Sequence, residues 1–377
     1  MRYYIVAGER SGDLHASNLV KALKQKDPEA SFRGFGGDYM QLQGVDLAVH
    51  YRELAIMGFA ELLTNAFKIK RYIRRCREDI TAYNPDVIIL VDYGGFNLQI
   101  AKFGKKHHYK VYFYILPKYW AWWPGRARWL KPHVDKLFTI LPFEKEFYKK
   151  FNWEAHYVGN PVLDAVKEHV ESDNFLTKHG LLDKSYVALL PGSRKQELMY
   201  IVPELEKMIL RMSNQHFCVA AVNNLDNALY GELPYMSNVT MVFEDTYNLL
   251  LHAKAAVVTS GTATLETALF RVPQVVVYKA NPLTYGFAKF MITVKYISLV
   301  NLIAEREVVK ELIQSDMTAA YLYGEVSRLV ADPEYRRDMI AAYDEIIKVL
   351  DTGSASDNAA ALIIQYLKES PRVQPAK

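Results

Sequence analysis

The chain has 377 residues, half of them hydrophobic and 23% charged, with a formal net charge of +4. That length suits two domains of about 100–200 residues each, the composition is that of an ordinary globular protein, and so small a net charge argues against a nucleic-acid partner. The two cysteines, Cys76 and Cys218, lie far apart and outside any C-x-x-C spacing, which excludes a disulfide framework and makes a reduced, cytoplasmic location the expectation. No run reaches about 18 uninterrupted apolar residues, so no transmembrane helix is expected. The first residues enter a strand without a basic n-region or an apolar h-region, so no secretory signal is expected either.

In chain order, near-continuous apolar runs predict strands at 3–7, 31–34, 87–92, 111–116, 136–141 and 155–158, with helical patterns between them. Such runs suit strands buried on both faces of a parallel sheet. The polar stretch 167–184 carries no strand signal. The pattern then restarts at 187–190, 217–222, 240–243, 255–259 and 274–278, and helical sequence follows to a frayed tail at 369–377. This predicts an α/β protein of two Rossmann-like doubly wound domains facing a cleft, with ligands beyond the carboxyl ends of the strands.

The candidate functional segments mostly sit at such strand ends. IVAGERSGD (5–13) turns at Gly8 and gathers Glu9, Ser11 and Asp13 at a helix start. That is either a well-capped helix with solvated acids or a surface that grips polar groups, with Glu9 placed to hold a sugar hydroxyl. In VIILVDYGGFN (87–97), Asp92 ends a fully apolar strand, where an acid is costly unless it is used, paired or wet. It is either a loop cap or a base for an attacking hydroxyl. Gly94 and Gly95 let the chain turn beside it, and Phe96 and Asn97 steady the loop. ILPKYWAWWPGRAR (115–128) crowds Trp120, Trp122 and Trp123 ahead of Arg126 and Arg128. Packing between helix and sheet accounts for some of these rings, and a wall over a sugar or acyl chain is the alternative.

In the second half, VALLPGSRKQEL (187–198) presents Arg194 just past a strand and a tight turn, a fixed charge suited to a diphosphate. VTSGTATLE (258–266) opens a helix at Ser260, Gly261 and Thr262, whose amides would attract phosphate. Glu266, read as near the first helical turn, would accept from a ribose diol. The plain alternative is ordinary helix capping, and the presence of both motifs in one unit favours a nucleotide diphosphate. One segment lies away from the strand ends. Over 56–75, Ile56, Phe59, Leu62, Leu63, Ala66, Phe67, Ile69 and Ile73 share one helical side, and Lys68, Lys70, Arg71, Arg74, Arg75 and Arg77 form a basic cluster. This is the pattern of a helix in a membrane interface, or of a core helix with a solvated basic end.

The P-loop spacing is absent, and GFGGDY (34–39) lacks the last glycine of the dinucleotide fingerprint. No G-x-S-x-G occurs. Of the ten histidines only His107 and His108 are adjacent, and neither has H-x-x-x-H spacing. No metal and no cofactor are expected.

Together these segments resemble the lipid-A-disaccharide synthase family, inverting glycosyltransferases of the GT-B fold. The matching runs are AGERSGD (7–13), ELAIMG (53–58), DYGGFN (92–97), WAW (120–122), LPFEK (141–145), VGNP (158–161), LPGSR (190–194), SGTATLE (260–266) and SLVNLIAEREVV (298–309), in order across nearly the whole chain. The resemblance implies transfer of 2,3-diacylglucosamine from its UDP derivative to the 6-hydroxyl of 2,3-diacylglucosamine 1-phosphate, with release of UDP. It implies an enzyme on the inner face of the inner membrane, without metal or cofactor, whose membrane contact would be Ile56, Phe59, Leu62, Leu63, Phe67, Lys70, Arg71 and Arg74. It places the essential acid at Asp92 and the essential arginine at Arg194. UDP contacts fall at Ser260, Gly261, Thr262 and Glu266, with Asn301 and Glu307 nearby. Further substrate contacts fall at Glu9, Ser11, Gly12, Asp13, Met57, Asn97, Trp122 and Ser193. The expected domains are 1–165 for acceptor and membrane and 166–349 for the UDP-sugar, with a last helix near 350–368 available to pack back on the first; a homodimer is left open.

The chain departs from the family pattern at DYGG, where relatives often carry a proline, at Glu305, where glycine is usual, and at Lys310, where proline is frequent. Three rival functions stay open at this point: a UDP-GlcNAc-type transferase acting on another lipid-linked acceptor, a UDP-GlcNAc 2-epimerase, and a non-catalytic UDP-sugar-binding membrane protein.

Overall fold

The structure, a computed structural model, describes residues 1–55, 66–121, 123–281, 285–286 and 294–372. The chain forms two compact units, 1–161 together with the segment from 352 onward, and 162–351. The first unit is built on β1 (Arg2–Ala7), β2 (Ser31–Gly36), β3 (Asp46–His50), β4 (Val87–Val91), β5 (Lys110–Tyr114), β6 (Lys136–Thr139) and β7 (His156–Tyr157). They pair in the order β3-β2-β1-β4-β5-β6-β7, every pair parallel. The second unit carries β8 (Tyr186–Leu190), β9 (His216–Ala221), β10 (Val239–Phe243), β11 (Ala255–Thr259), β12 (Gln274–Tyr278) and β13 (Lys310–Ile313), in the parallel order β10-β9-β8-β11-β12-β13.

The central strands are apolar at every position because helices cover both faces. In the first sheet Tyr3, Ile5, Val87 and Ile89 pack with Leu19, Leu23 and Ile363 on one side. Tyr4, Val6, Ile88 and Leu90 pack with Cys76, Ile80, Ile100 and Tyr148 on the other. In each sheet the strand order reverses beside the first strand, at β1/β4 and at β8/β11. The crevice at such a reversal is where doubly wound sheets take their ligands.

The structure corrects the predicted strands in two ways. It adds β3 and β13, which are edge strands: DLAVH and KELI are short, only partly buried and begin or end on charged or polar residues. It also ends β4 and β5 early, because Asp92 (φ 47°) and Ile115 (φ 60°) turn left-handed. The last helix, Ala355–Glu369, lies on the first unit, with Ala359, Ala360, Ile363 and Leu367 against the helix Arg10–Lys26 and the sheet. Asn358 donates to the Val158 carbonyl at 3.1 Å and Arg372 to the Pro85 carbonyl at 2.8 Å. Among the described residues no helix is long and apolar enough to cross a membrane.

Candidate active site

Ala7 pairs with Val91, so the chain leaves β1 at Gly8 and β4 at Asp92 side by side. The fit there is close: a Cβ on Gly8 would stand 2.3 Å from the Tyr93 ring. Asp92, Tyr93 (φ 49°) and Ile115 are all left-handed, and the Asp92 amide donates to the Ile115 carbonyl at 3.0 Å. Non-glycine residues held this way store strain of order 1–3 kcal/mol each, a feature that clusters at active sites. Burial raises the Asp92 carboxyl above its ordinary pKa, and the negative charge of Glu9 raises it further; the Tyr93 amide and Lys118 pull it back. Glu9 and Ser11 are exposed. Gly95 opens onto free space, with nothing within 4 Å of a Cβ placed there.

Three residues expected to touch substrate are buried in the fold. Asp13 is fully buried, and its carboxylate accepts from the amides of Gly37 (2.7 Å), Tyr39 (3.0 Å) and Met40 (3.2 Å), which fixes the loop after β2. Gly12 is buried, facing Ala7 and Val91, with room for a Cβ in ordinary contact at 3.6–3.9 Å. Asn97, also fully buried, donates to the carbonyls of Asp92 (2.7 Å), Val91 (3.2 Å) and Val6 (3.4 Å). It braces the ends of β1 and β4 from beneath.

In the second unit Val258 pairs with Leu190, so the Arg194 turn and the Ser260 turn also emerge together. Gly192 has φ 111°, and a Cβ there would meet the Glu197 carboxylate at 2.3 Å. Glu197 accepts from the amides of Ser193 (3.0 Å) and Arg194 (3.1 Å) and from the Arg194 guanidinium (3.2 Å). The Arg194 side chain is 81% exposed, so its other edges stay open. Glu197 went unnoticed in the sequence, although a Glu three residues into a helix is the reach-back half of a capping box.

The Ser260 amide donates to the Val277 carbonyl and its hydroxyl to the Ile297 carbonyl, both at 2.9 Å, so Ser260 is committed to the fold. The amides of Gly261 and Thr262 find no acceptor among the described residues, and the space at Gly261 is open. The helix begins at Thr262, which puts Glu266 in its second turn rather than the first. Burial raises the Glu266 pKa, and the Tyr247 hydroxyl, donating at 3.0 Å, offsets part of that rise. Asn301 is fully buried: its amide donates to Val309 O and Glu311, and its oxygen accepts from the amides of Val308 and Val309. It stitches the helix Leu299–Ala304 to β13, and nothing is left over for a nucleotide. Glu307 is exposed and pairs with Lys310 at 3.5 Å.

A family model described as lipid-A-disaccharide synthetase matches residues 3–364. The chain belongs to the lipid-A-disaccharide synthase family. It is a glycosyltransferase of lipid A biosynthesis that takes a UDP-sugar donor and a lipid acceptor. Named relatives include the lipid-A-disaccharide synthases of Geobacter sulfurreducens, 35% identical with 97% of each chain covered, and of Syntrophus aciditrophicus, 35% identical over 97% of this chain and 98% of the relative. The fold is shared with a putative UDP-N-acetylglucosamine 2-epimerase from Listeria monocytogenes, at a TM-score of 0.68, 15% identity, and coverage of 100% and 99%.

Glu305 closes the helix Leu299–Ala304 in the left-handed region, φ 55°, which costs a residue with a Cβ roughly 1–2 kcal/mol. Of the family's tryptophans, Trp120 is buried and donates to Glu144 at 3.0 Å. Glu144 also accepts from the Ile140 and Leu141 amides, and burial pushes its pKa up to about 7. This pair is packing, not a substrate wall. Met57, Trp122, Ile56, Phe59, Leu62 and Leu63 lie outside the described residues. The helix Ala66–Tyr83 sorts its faces differently from the predicted stripe: Tyr72, Ile73, Cys76 and Ile80 turn to the core, while Phe67, Lys70, Arg71 and Arg74 are exposed.

Proposed function

We propose that Asp92 is the general base that takes the proton from the 6-hydroxyl of 2,3-diacylglucosamine 1-phosphate as that oxygen attacks the anomeric carbon of UDP-2,3-diacylglucosamine. The new glycosidic bond forms as the bond to UDP breaks, with inversion, and the proton ends on Asp92. A carboxyl held at the β1/β4 reversal with its pKa raised by burial and by Glu9 is the observation that carries this reading. A base nearer the working pH accepts a proton more effectively, a contribution of about 10²–10⁴ in rate. The transition state is oxocarbenium-like. Charge growing on the departing diphosphate meets Arg194, oriented by Glu197, and the amides of Gly261 and Thr262. Glu266 accepts from the ribose, and Glu9 and Ser11 from the acceptor sugar.

Asp92→Asn keeps the shape and removes the base. In an assay of UDP release, kcat should fall roughly 10²–10⁴-fold while UDP affinity stays within twofold. Turnover within a few-fold of the wild-type rate in a folded variant would remove Asp92 from this role. The acyl chains also need an apolar entry, and the exposed Phe67, flanked by Lys70, Arg71 and Arg74, supports a membrane-facing edge on the first unit.

A further inference from the structure

The segment after β5 carries two cations that the reaction described so far does not use. It folds tightly: the Tyr119 amide donates to Pro117 O at 2.6 Å, the Ala121 amide to Lys118 O at 3.0 Å, and the Arg126 amide to Trp123 O at 3.1 Å. Tyr119 is buried, and its hydroxyl lies 3.4 Å from where a Cβ on Gly94 would stand, hence against the Asp92 loop. Burial raises the Tyr119 phenol; Arg126 lowers it and Asp92 raises it, so both charges act on this one hydroxyl. Lys118 acts directly on Asp92.

Arg126 is exposed. Its guanidinium rests 4.9 Å over the Trp123 ring, which meets Trp129 edge-on at 5.9 Å. Trp123 is itself left-handed, φ 57°, and about half exposed. Stacking occupies one face of a guanidinium and leaves its N–H edge aimed outward, the edge that receives a phosphate in a fork.

We propose that Arg126, assisted by Lys118, is the subsite for the phosphomonoester of the acceptor. This rests on the reading under Proposed function. In the acceptor sugar the reacting 6-hydroxyl, borne on C5, and the phosphate on C1 flank the ring oxygen on the same side of the ring. Holding the alcohol at Asp92 therefore brings a dianion within a few ångströms of a carboxylate, and that repulsion needs a fixed cation beside the phosphate, next to the Asp92 loop. Arg126 and Lys118 meet the requirement from one loop. A phospholipid headgroup offers the same chemistry, so the test separates the two sources.

The full chain and Arg126→Gln are assayed for UDP release with two acceptors, 2,3-diacylglucosamine 1-phosphate and its dephosphorylated form. Each is presented in neutral detergent micelles and in micelles containing phosphatidylglycerol. One charged hydrogen-bonded contact corresponds to about 10–100-fold. Wild type should prefer the phosphorylated acceptor by at least that factor, and Arg126→Gln should erase the preference through KM in both micelles. Its rate on the dephosphorylated acceptor and its UDP affinity should stay within about twofold by the same scale. Arg126→Lys, which keeps the charge without the fork, should recover part of the loss. Equal losses on both acceptors, or a preference left intact, would overturn the proposal. A loss seen only with phosphatidylglycerol would reassign Arg126 to headgroups. Absence of UDP release by wild type with either acceptor would instead sink the underlying reaction, and the subsite with it.

Discussion

Glu9 and Lys118 act on the Asp92 carboxyl with opposite sign, after burial has already raised it. As a base, Asp92 works ionised, so activity should fall as pH drops through its raised pKa, and the acid limb of kcat/KM should lie above the range of an ordinary aspartate. Glu9→Gln removes a repelling negative charge and should move that limb to lower pH. Lys118→Met removes an attracting positive charge and should move it up. A limb unmoved in both variants would mean that another group sets it. Asp92 and Arg194 stood out in the sequence because a charge at or just past the end of an apolar strand is a local pattern. The tasks of Asp13, Asn97 and Asn301 were not, because each depends on which backbone amides and carbonyls a distant loop brings to it.

The helix Ala66–Tyr83 shows what periodicity can and cannot decide. A wheel drawn over 56–75 merges two apolar sides, whereas the described part turns Ile73, Cys76 and Ile80 inward and leaves Phe67 outside, 85% exposed. Phe67→Ser with Lys70, Arg71 and Arg74 changed to Gln should weaken binding to anionic vesicles. Each basic residue near such a surface contributes about 1 kcal/mol, so co-sedimentation should fall by at least tenfold while UDP affinity and melting temperature hold. Vesicle binding that is unchanged would return this face to ordinary solvent. Among strands, continuous hydrophobicity marked the central ones because both of their faces are covered. The edge strands β3 and β13 carry polar residues, Asp46 and His50 in one and Lys310 and Glu311 in the other, and so left no such signal.

On the scale of the whole molecule, the chain runs out of the first unit at 161, completes the second, and comes back at 352. The returning helix buries Ile363, Ile364 and Leu367 against the first unit. Side chains of this kind contribute about 1.5–3 kcal/mol each, together roughly 5–9 kcal/mol, comparable with the entire stability of a domain at about 5–15 kcal/mol. A chain ending at Asp351 should lower the melting temperature of the first unit by on the order of 10 °C or more, or leave it insoluble. The second unit's own calorimetric transition should persist. Equal melting of the two forms would show the helix to be dispensable.

That return also sets an order on birth. Translation runs from the amino end, so the first sheet emerges early, yet one of its flanks waits for the last stretch to be made. Between them lie the 190 residues of 162–351. At about 5–20 residues per second, the part of that flank reserved for the returning helix stands open for roughly 10–40 s. Throughout that wait the apolar strip beside the helix Arg10–Lys26 is the surface a ribosome-associated chaperone would meet.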